Sequence, residues 1–412
     1  MKFTLRPYQQ EMVNVAVKAL QNSDKPFIIQ AATGAGKSLV IAAICHALDD
    51  HVLVLQPSKE LLEQNYSKMK AFGIDDVKIY SASAGSKEIG KYVMATIGSI
   101  YKKPELFQHF KYVVIDEADC VNPKEMDSMY SSFLQAIGCT KVCGLTATPY
   151  RLTQKYIQEG EALYYTTTLK MINRISYPTF WKDIKYKIET QDLIDQNFLS
   201  PIKYFVDTPD TRDLKVNSTG ADFTVESLEK FGQKRVARIC QAIEYANANH
   251  KRVLVFCSSL GQANSVLDSF RASKLTIKLV DGKTPKKIRE DSVASFKSGR
   301  TKVMLNVGVF LAGFDVPELD AIVFARPTLS PRVWYQAIGR GVRLDPATPE
   351  KMLHVYDLVG VTKQLGRVET LRLGVENGYK STLESEVGRL DEVMLSKWFV
   401  KDKPKFVKRS ES

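Results

Sequence analysis

AATGAGKS, Ala31 to Ser38, comes directly after the apolar run Phe27–Gln30 and directly before a helix-like segment. A strand, a glycine-rich turn and a helix in that order form the setting in which backbone N–H groups close around phosphate oxygens at the positive end of a helix. Gly34 and Gly36, with Thr33 and Ala35 beside them, let the backbone turn inward. Lys37 then reaches the β and γ phosphates, and Ser38 offers a hydroxyl to Mg²⁺. Ala31 stands where the general pattern has its first glycine and keeps the small size that the turn needs. ATP and Mg²⁺ are the ligands this loop predicts.

Downstream, VVIDEAD (Val113 to Asp119) delivers two adjacent carboxylates to the carboxyl edge of a sheet, where ligands of open α/β sheets bind. Asp116 suits the Mg²⁺ shell, and Glu117 suits orienting and deprotonating an attacking water. Alone, such a pair fits a solvated turn or a helix N-terminus equally well. The phosphate loop upstream favours the site.

Around both motifs, short apolar runs alternate with longer amphipathic ones, the pattern of an α/β fold with a mostly parallel sheet and helices on both faces. This happens twice. The first set of expected strands is Phe27–Gln30, His51–Gln56, Tyr92–Thr96, Tyr112–Asp116 and Lys141–Leu145. The second is Arg252–Cys257, Thr276–Val280, Lys302–Asn306, Ala321–Ala325 and Leu353–Asp357. From about Arg151 to Phe231 the alternation is lost, and Asp207–Ala221 is polar, so the domain junction is placed near Pro201. After about Gly360 the pattern fades into a segment with Lys397, Lys401, Lys403, Lys405, Lys408 and Arg409 among Trp398, Phe399 and Phe406. A basic tail with aromatics for base stacking and a frayed helix end fit this segment equally.

At 412 residues the chain is too long for one ordinary core, and 44% hydrophobic with 25% charged residues is a globular balance. A net charge of +12 suits a polyanionic partner, because neutralised phosphates release counterions, but it suits plain solubility as well. Six scattered cysteines without CxxC pairs read as reduced core residues, which points to a cytoplasmic compartment. MKFTLRPYQQ holds no apolar signal region, and no apolar run is long enough to span a bilayer, so no membrane association is expected.

In this order the motifs resemble those of superfamily 2 helicases over about residues 3 to 360. The resemblance implies two tandem RecA-like domains, 1–200 and 201–365, followed by a basic extension, 366–412. LRPYQQ (Leu5–Gln10) resembles the adenine-reading segment, with Gln9 as the base contact and Arg6 as a second. PSKELLEQ (Pro57–Gln64), through Ser58 and Lys59, and the stretch with Thr96 and Ser99 resemble segments that grip a nucleic-acid backbone. TATP (Thr146–Pro149) resembles the coupling motif, with Asp119 as the hydrogen-bond partner of Thr146 and Thr148. NVGVFLAGFDVP (Asn306–Pro317) brings Gly313 and Asp315 toward the ribose and the cleft. QAIGRGVR (Gln336–Arg343) fits the last motif, with Gln336 beside two arginine fingers, Arg340 and Arg343, on successive turns of a helix.

Within the superfamily, LRPYQQE, TGAGKSLVIA, LTATPYRL and GFDVP resemble the bacterial RadD branch, without the cysteine-rich region those proteins carry after the motor. RNA-remodelling DEAD-box proteins usually have Ser and His where Thr146 and Gln336 stand. The resemblance implies an ATP-dependent DNA helicase or translocase of repair, recombination or replication, with nucleic acid and other repair or replication proteins as partners. An RNA-dependent ATPase, an ATP-gated clamp and the motor of a restriction-type complex are the alternatives.

Overall fold

The computed structural model describes residues 4–121, 129–159, 162–174, 179–217, 222–308, 314, 316–377, 380–391 and 394–400, with side chains at 154–156, 159, 162–165 and 394–400 left aside. The first sheet begins with β1 (Phe27–Ala31), β2 (Val52–Gln56), β3 (Val77–Ser81), β4 (Ser86–Lys87), β5 (Tyr92–Thr96), β6 (Tyr112–Asp116) and β7 (Val142–Thr146). A long hairpin, β8 (Tyr150–Glu159) and β9 (Ala162–Met171), leaves this sheet, and β10 (Asp183–Ile188) returns to it. The order is β10-β1-β7-β6-β2-β5-β3-β4, and only β3–β4 is antiparallel.

Parallel strands covered on both faces are continuous apolar runs, because successive side chains enter opposite cores. On β2, Val52 and Val54 join one core while Leu53 and Leu55 join the other. The second sheet repeats the arrangement with β11 (Ile202–Val206), β12 (Val253–Phe256), β13 (Ile277–Asp281), β14 (Val303–Val307), β15 (Ala321–Phe324) and β16 (Leu353–Asp357), in the order β11-β16-β15-β12-β14-β13, all parallel. One apolar cluster runs through both halves, from Tyr8 and Ala35 to Leu199, Tyr335 and Val342.

All ten expected strands are present, and β3, β4, β10, β11 and the hairpin were not anticipated. For β10 and β11 the reason is exposure at a sheet edge. DIKYKI in β10 and IKYFV in β11 alternate exposed with half-buried positions, so Lys interrupts the apolar run that marks a central strand. The stretch from about Arg151, where the alternation of runs is lost, opens with that hairpin, whose root is tied by a Thr153–Thr168 hydroxyl bond of 3.1 Å.

The C-terminal region departs from the expectation of a frayed helix end. After the helix Val361–Leu365, β17 (Arg372–Glu376), β18 (Lys380–Ser385) and β19 (Gly388–Arg389) form a small antiparallel sheet. β20 (Met394–Val400) pairs antiparallel with β9. The segment also returns to the first half through Leu373 N, which donates to Glu189 Oε1 at 2.7 Å, and Ser381 O, which accepts from Arg174 at 2.6 Å. The remaining basic positions of the expected tail, 401–412, lie outside the described residues. Among the described residues no helix is long and apolar enough to cross a membrane.

Candidate active site

β1 ends at Ala31, and the loop that follows feeds the helix Lys37–Leu48. Gly34 and Gly36 hold φ of +90° and +83°, where any other residue is strained. A Cβ on Gly34 would lie 2.9 Å from Leu199 Cδ2, and one on Gly36 would lie 2.5 Å from Gln9 Nε2. The backbone conformation demands glycine there, and any other residue would also displace Leu199 or Gln9. Gln9 Nε2 donates to Ala35 O at 2.9 Å, Gln9 Oε1 accepts from Arg6 N at 3.0 Å, and Tyr8 Oη donates to Ala35 O at 3.1 Å. The expected base contact Gln9 thus uses its amide to brace the phosphate loop. Arg6 lies 4.7 Å over the Phe198 ring, and it lines the same cleft as Gln9.

β6 ends at Asp116, whose Oδ2 accepts from Asn65 Nδ2 at 2.7 Å and whose Oδ1 accepts from Glu117 N at 3.0 Å. Burial, helped by the Glu117 carboxylate and opposed by Lys37, pushes Asp116 up to about 6. Glu117 holds φ +52°, a left-handed conformation that costs a non-glycine residue about 1 kcal/mol. Glu117 Oε2 and Asn65 Oδ1 are buried without a hydrogen-bond partner among the described residues. Two orphaned oxygens beside Asp116, with the Ser38 hydroxyl on the same wall of the cleft, fit a hydrated Mg²⁺ and a phosphate group.

A carboxyl raised in the folded state costs stability when it ionises, and this cost grows as pH rises from the unfolded to the folded value. Without Mg²⁺, Asp116→Asn is therefore expected to stabilise the protein by up to about 3 kcal/mol near neutral pH, with the gain shrinking to well under 1 at about pH 4. Thermal unfolding at the two pH values checks this. An equal gain at both, or a loss, would contradict the assignment.

The second half contributes through the helix Pro331–Ile338 and the segment after it. The expectation that Arg340 and Arg343 lie on successive helical turns is corrected, because the helix ends at Ile338. Two close approaches accompany the break. A Cβ on Gly339 would meet Thr33 Cγ2 at 2.4 Å, and one on Gly341 would meet Leu353 Cδ1 at 2.4 Å. Arg343 instead forms an antiparallel bridge with Leu199, and Ser200 N donates to Val342 O at 2.7 Å. Arg340 and Arg343 still face one cleft of about 400 Å³, with Gln336 on their side and Thr33, Gly34, Gly36, Lys37, Ser38, Asp116 and Glu117 opposite. Gly313 and Asp315 lie outside the described residues.

Asp119 is 1% exposed and accepts from Thr146 Oγ1 at 2.8 Å and Thr148 Oγ1 at 3.4 Å, as anticipated. Its carboxylate also meets Arg332 Nε at 2.8 Å, an ion pair between the halves that the sequence reading missed. Burial raises the Asp119 carboxyl, and Arg332 opposes that rise. The available signal was spacing, since Arg332 sits one helical turn before Gln336. Asn65, within the helix Lys59–Phe72, was missed although it directly follows the motif Pro57–Gln64, because that motif was read for nucleic-acid contact and not for the nucleotide site.

The four residues expected to grip a nucleic-acid backbone gather at the carboxyl ends of β2 and β5, with their polar atoms engaged inside the chain. Ser58 Oγ caps its helix by accepting from Leu61 N at 3.4 Å, and Lys59 Nζ donates to Ser83 O at 2.5 Å. Thr96 Oγ1 bonds Ser81 Oγ at 3.0 Å and Ser99 Oγ at 2.9 Å, and Ser99 Oγ accepts from Ala82 N at 2.9 Å. Ser81 and Ser83 were not anticipated.

Two family descriptions match the chain: "Type III restriction enzyme, res subunit" over residues 2–151 and "Helicase conserved C-terminal domain" over 234–345. The chain is 24% identical over 387 residues to "Putative ATP-dependent helicase IRC3" of Saccharomyces cerevisiae, with 87% of this chain and 52% of that protein covered. It is 25% identical over 370 residues to "DNA 3'-5' translocase XPB2" of Sulfurisphaera tokodaii, covering 83% and 79%. Among solved structures it is similar to the ATP-dependent type ISP restriction-modification enzyme LlaBIII bound to DNA, with a TM-score of 0.61, 15% identity and coverage of 87% of this chain and 28% of that one. The chain spans about half the length of the first of these relatives. With these two family descriptions matched in that order, the chain is similar to the superfamily 2 helicases in both of its halves.

Proposed function

We propose that this chain is an ATP-driven DNA motor that hydrolyses ATP between its two halves and moves on or remodels DNA in repair, recombination or replication, with a resemblance to the RadD branch. The observation that carries the reading is the single cleft lined by Lys37, Ser38, Asp116 and Glu117 from one half and by Gln336, Arg340 and Arg343 from the other. Ser38 and Asp116 would hold a magnesium ion, which when bound would supply charge neutralisation on the phosphates. Lys37 adds a fixed positive charge at the β and γ phosphates, and Asn65 orients Asp116. Glu117 orients a water and takes its proton. Arg340 and Arg343 stabilise the negative charge of the transferring phosphoryl group, so turnover requires the halves to be closed. Asp119, bonded to Thr146 and Thr148 and paired with Arg332, links the nucleotide edge of the first half to the second.

DNA is favoured over RNA by Thr146 and Gln336 at the positions discussed above and by the DNA translocase among the relatives. The charge of +12 suits either polymer. ATP hydrolysis measured at one fixed salt with single-stranded, duplex and branched DNA and with RNA tests the reading. DNA is expected to stimulate turnover more strongly than RNA. Greater stimulation by RNA would replace the substrate, and no stimulation by any polymer would leave an ATP-gated clamp. The match of residues 2–151 to a restriction-enzyme subunit favours a second reading, the motor of a restriction-type complex, whose sign is co-purification of a nuclease partner.

A further inference from the structure

Resting on Arg343 as an arginine finger, we propose that Lys351 is the positioning residue that fixes this finger, by clamping its backbone to the segment that ends at Pro317. Lys351 Nζ donates to Arg343 O at 2.6 Å and to Pro317 O at 2.6 Å. The residue is only 5% exposed, an unusual place for an ammonium group unless its donors are satisfied.

The local chain explains how a lysine eight residues past the finger returns to it. Asp345 O accepts from Thr348 N at 2.9 Å and Thr348 O from Lys351 N at 3.0 Å, so the backbone curls back, and Asp345 Oδ1 holds Ala347 N at 3.0 Å. The next strand starts at Leu353, whose N–H donates to Pro201 O at 2.9 Å. Burial lowers the Lys351 ammonium to about 8, and the carboxylates of Asp320, Asp345 and Glu318 oppose that fall.

The same carbonyl has a second donor. Ser200 Oγ reaches Arg343 O at 3.2 Å from the connection between the two sheets, and Arg340 Nη1 reaches Phe314 O at 3.4 Å. The finger segment is thereby cross-braced to the chain before Pro317 and to the interdomain connection. Arg343 leaves an extended backbone rather than a helix, so no ladder of helical hydrogen bonds sets its direction, and these side-chain donors take over that task.

The test compares ATP turnover of the full chain at saturating DNA for Lys351→Met, Lys351→Arg, Arg343→Ala and the Lys351→Met/Arg343→Ala pair. Methionine keeps the unbranched stem while removing the donors, and because the carbonyls of Arg343 and Pro317 lose a partner, thermal unfolding of the variant is measured alongside to confirm that it is folded. Lys351→Met is expected to lower kcat on the order of a hundredfold with KM for ATP nearly unchanged, the scale of a small misplacement of a catalytic group. Lys351→Arg, which keeps donors at the end of the stem, recovers part of that loss, and Ser200→Ala gives a smaller drop of the same kind. The decisive readout is the pair, which is expected to be no slower than Arg343→Ala alone. A full additional loss in the Arg343→Ala background, or normal turnover in Lys351→Met, overturns the positioning role while leaving the finger intact. Normal turnover in Arg343→Ala overturns the finger and the clamp together.

Discussion

Glu117→Gln is expected to bind ATP and DNA and to lose hydrolysis by roughly two to four decades, the contribution of a positioned general base. The substitution keeps the side-chain length and removes only the capacity to take a proton. Glu117 begins the turn Ala118–Cys120 with a left-handed backbone, so the fold sets the direction in which its side chain leaves the chain, and glutamine inherits the same direction. Its Oε2 atom lies buried without a partner among the described residues, where a water or a magnesium-bound water has room to bind. Single-turnover hydrolysis and separate binding titrations distinguish the outcomes. Turnover within tenfold of the parent would move the base elsewhere, and lost ATP binding would mean that the residue shapes the site instead.

The second large effect is expected from Arg340→Ala and Arg343→Ala, each slowing hydrolysis by on the order of a thousandfold while sparing much of ATP binding. Both arginines line the cleft from the second half, opposite Lys37 and Glu117. Charge supplied across the cleft acts on the transition state only when the halves are together, so kcat carries the loss and KM changes little. The two need not be equal. Arg343 sits in the bridge to Leu199, and Arg340 reaches Phe314 O, so Arg340→Ala also loosens the neighbouring segment. Near-normal kcat in both variants would remove the fingers from the reading.

The central strands were legible because each is a short apolar run buried on both faces, and the phosphate loop was legible because its glycines, lysine and serine are contiguous. Edge strands β10 and β11 were hidden by lysines on their exposed faces. Asn65, Arg332 and Lys351 were hidden for a different reason. Each meets a residue far away or across a turn, Asp116, Asp119 and the Arg343 carbonyl respectively, and even the spacing that singles out Arg332 does not name the partner it meets on folding. The helical placement of Arg340 and Arg343 failed because spacing alone carries no information about Thr33 and Leu353 packing against Gly339 and Gly341.

The sequence by itself determined two parallel sheets and the chemical types on each wall of the cleft, since periodicity and contiguous motifs are local properties of the chain. Only the tertiary structure decided that Gln9 bonds to Ala35 in the loop, that Arg332 pairs with Asp119 across the halves, that β20 returns to β9, and that Lys351 donates to the Arg343 carbonyl. Those are pairings between segments far apart in sequence or across a tight turn, and their free energy depends on burial and geometry that exist only once both sheets are packed.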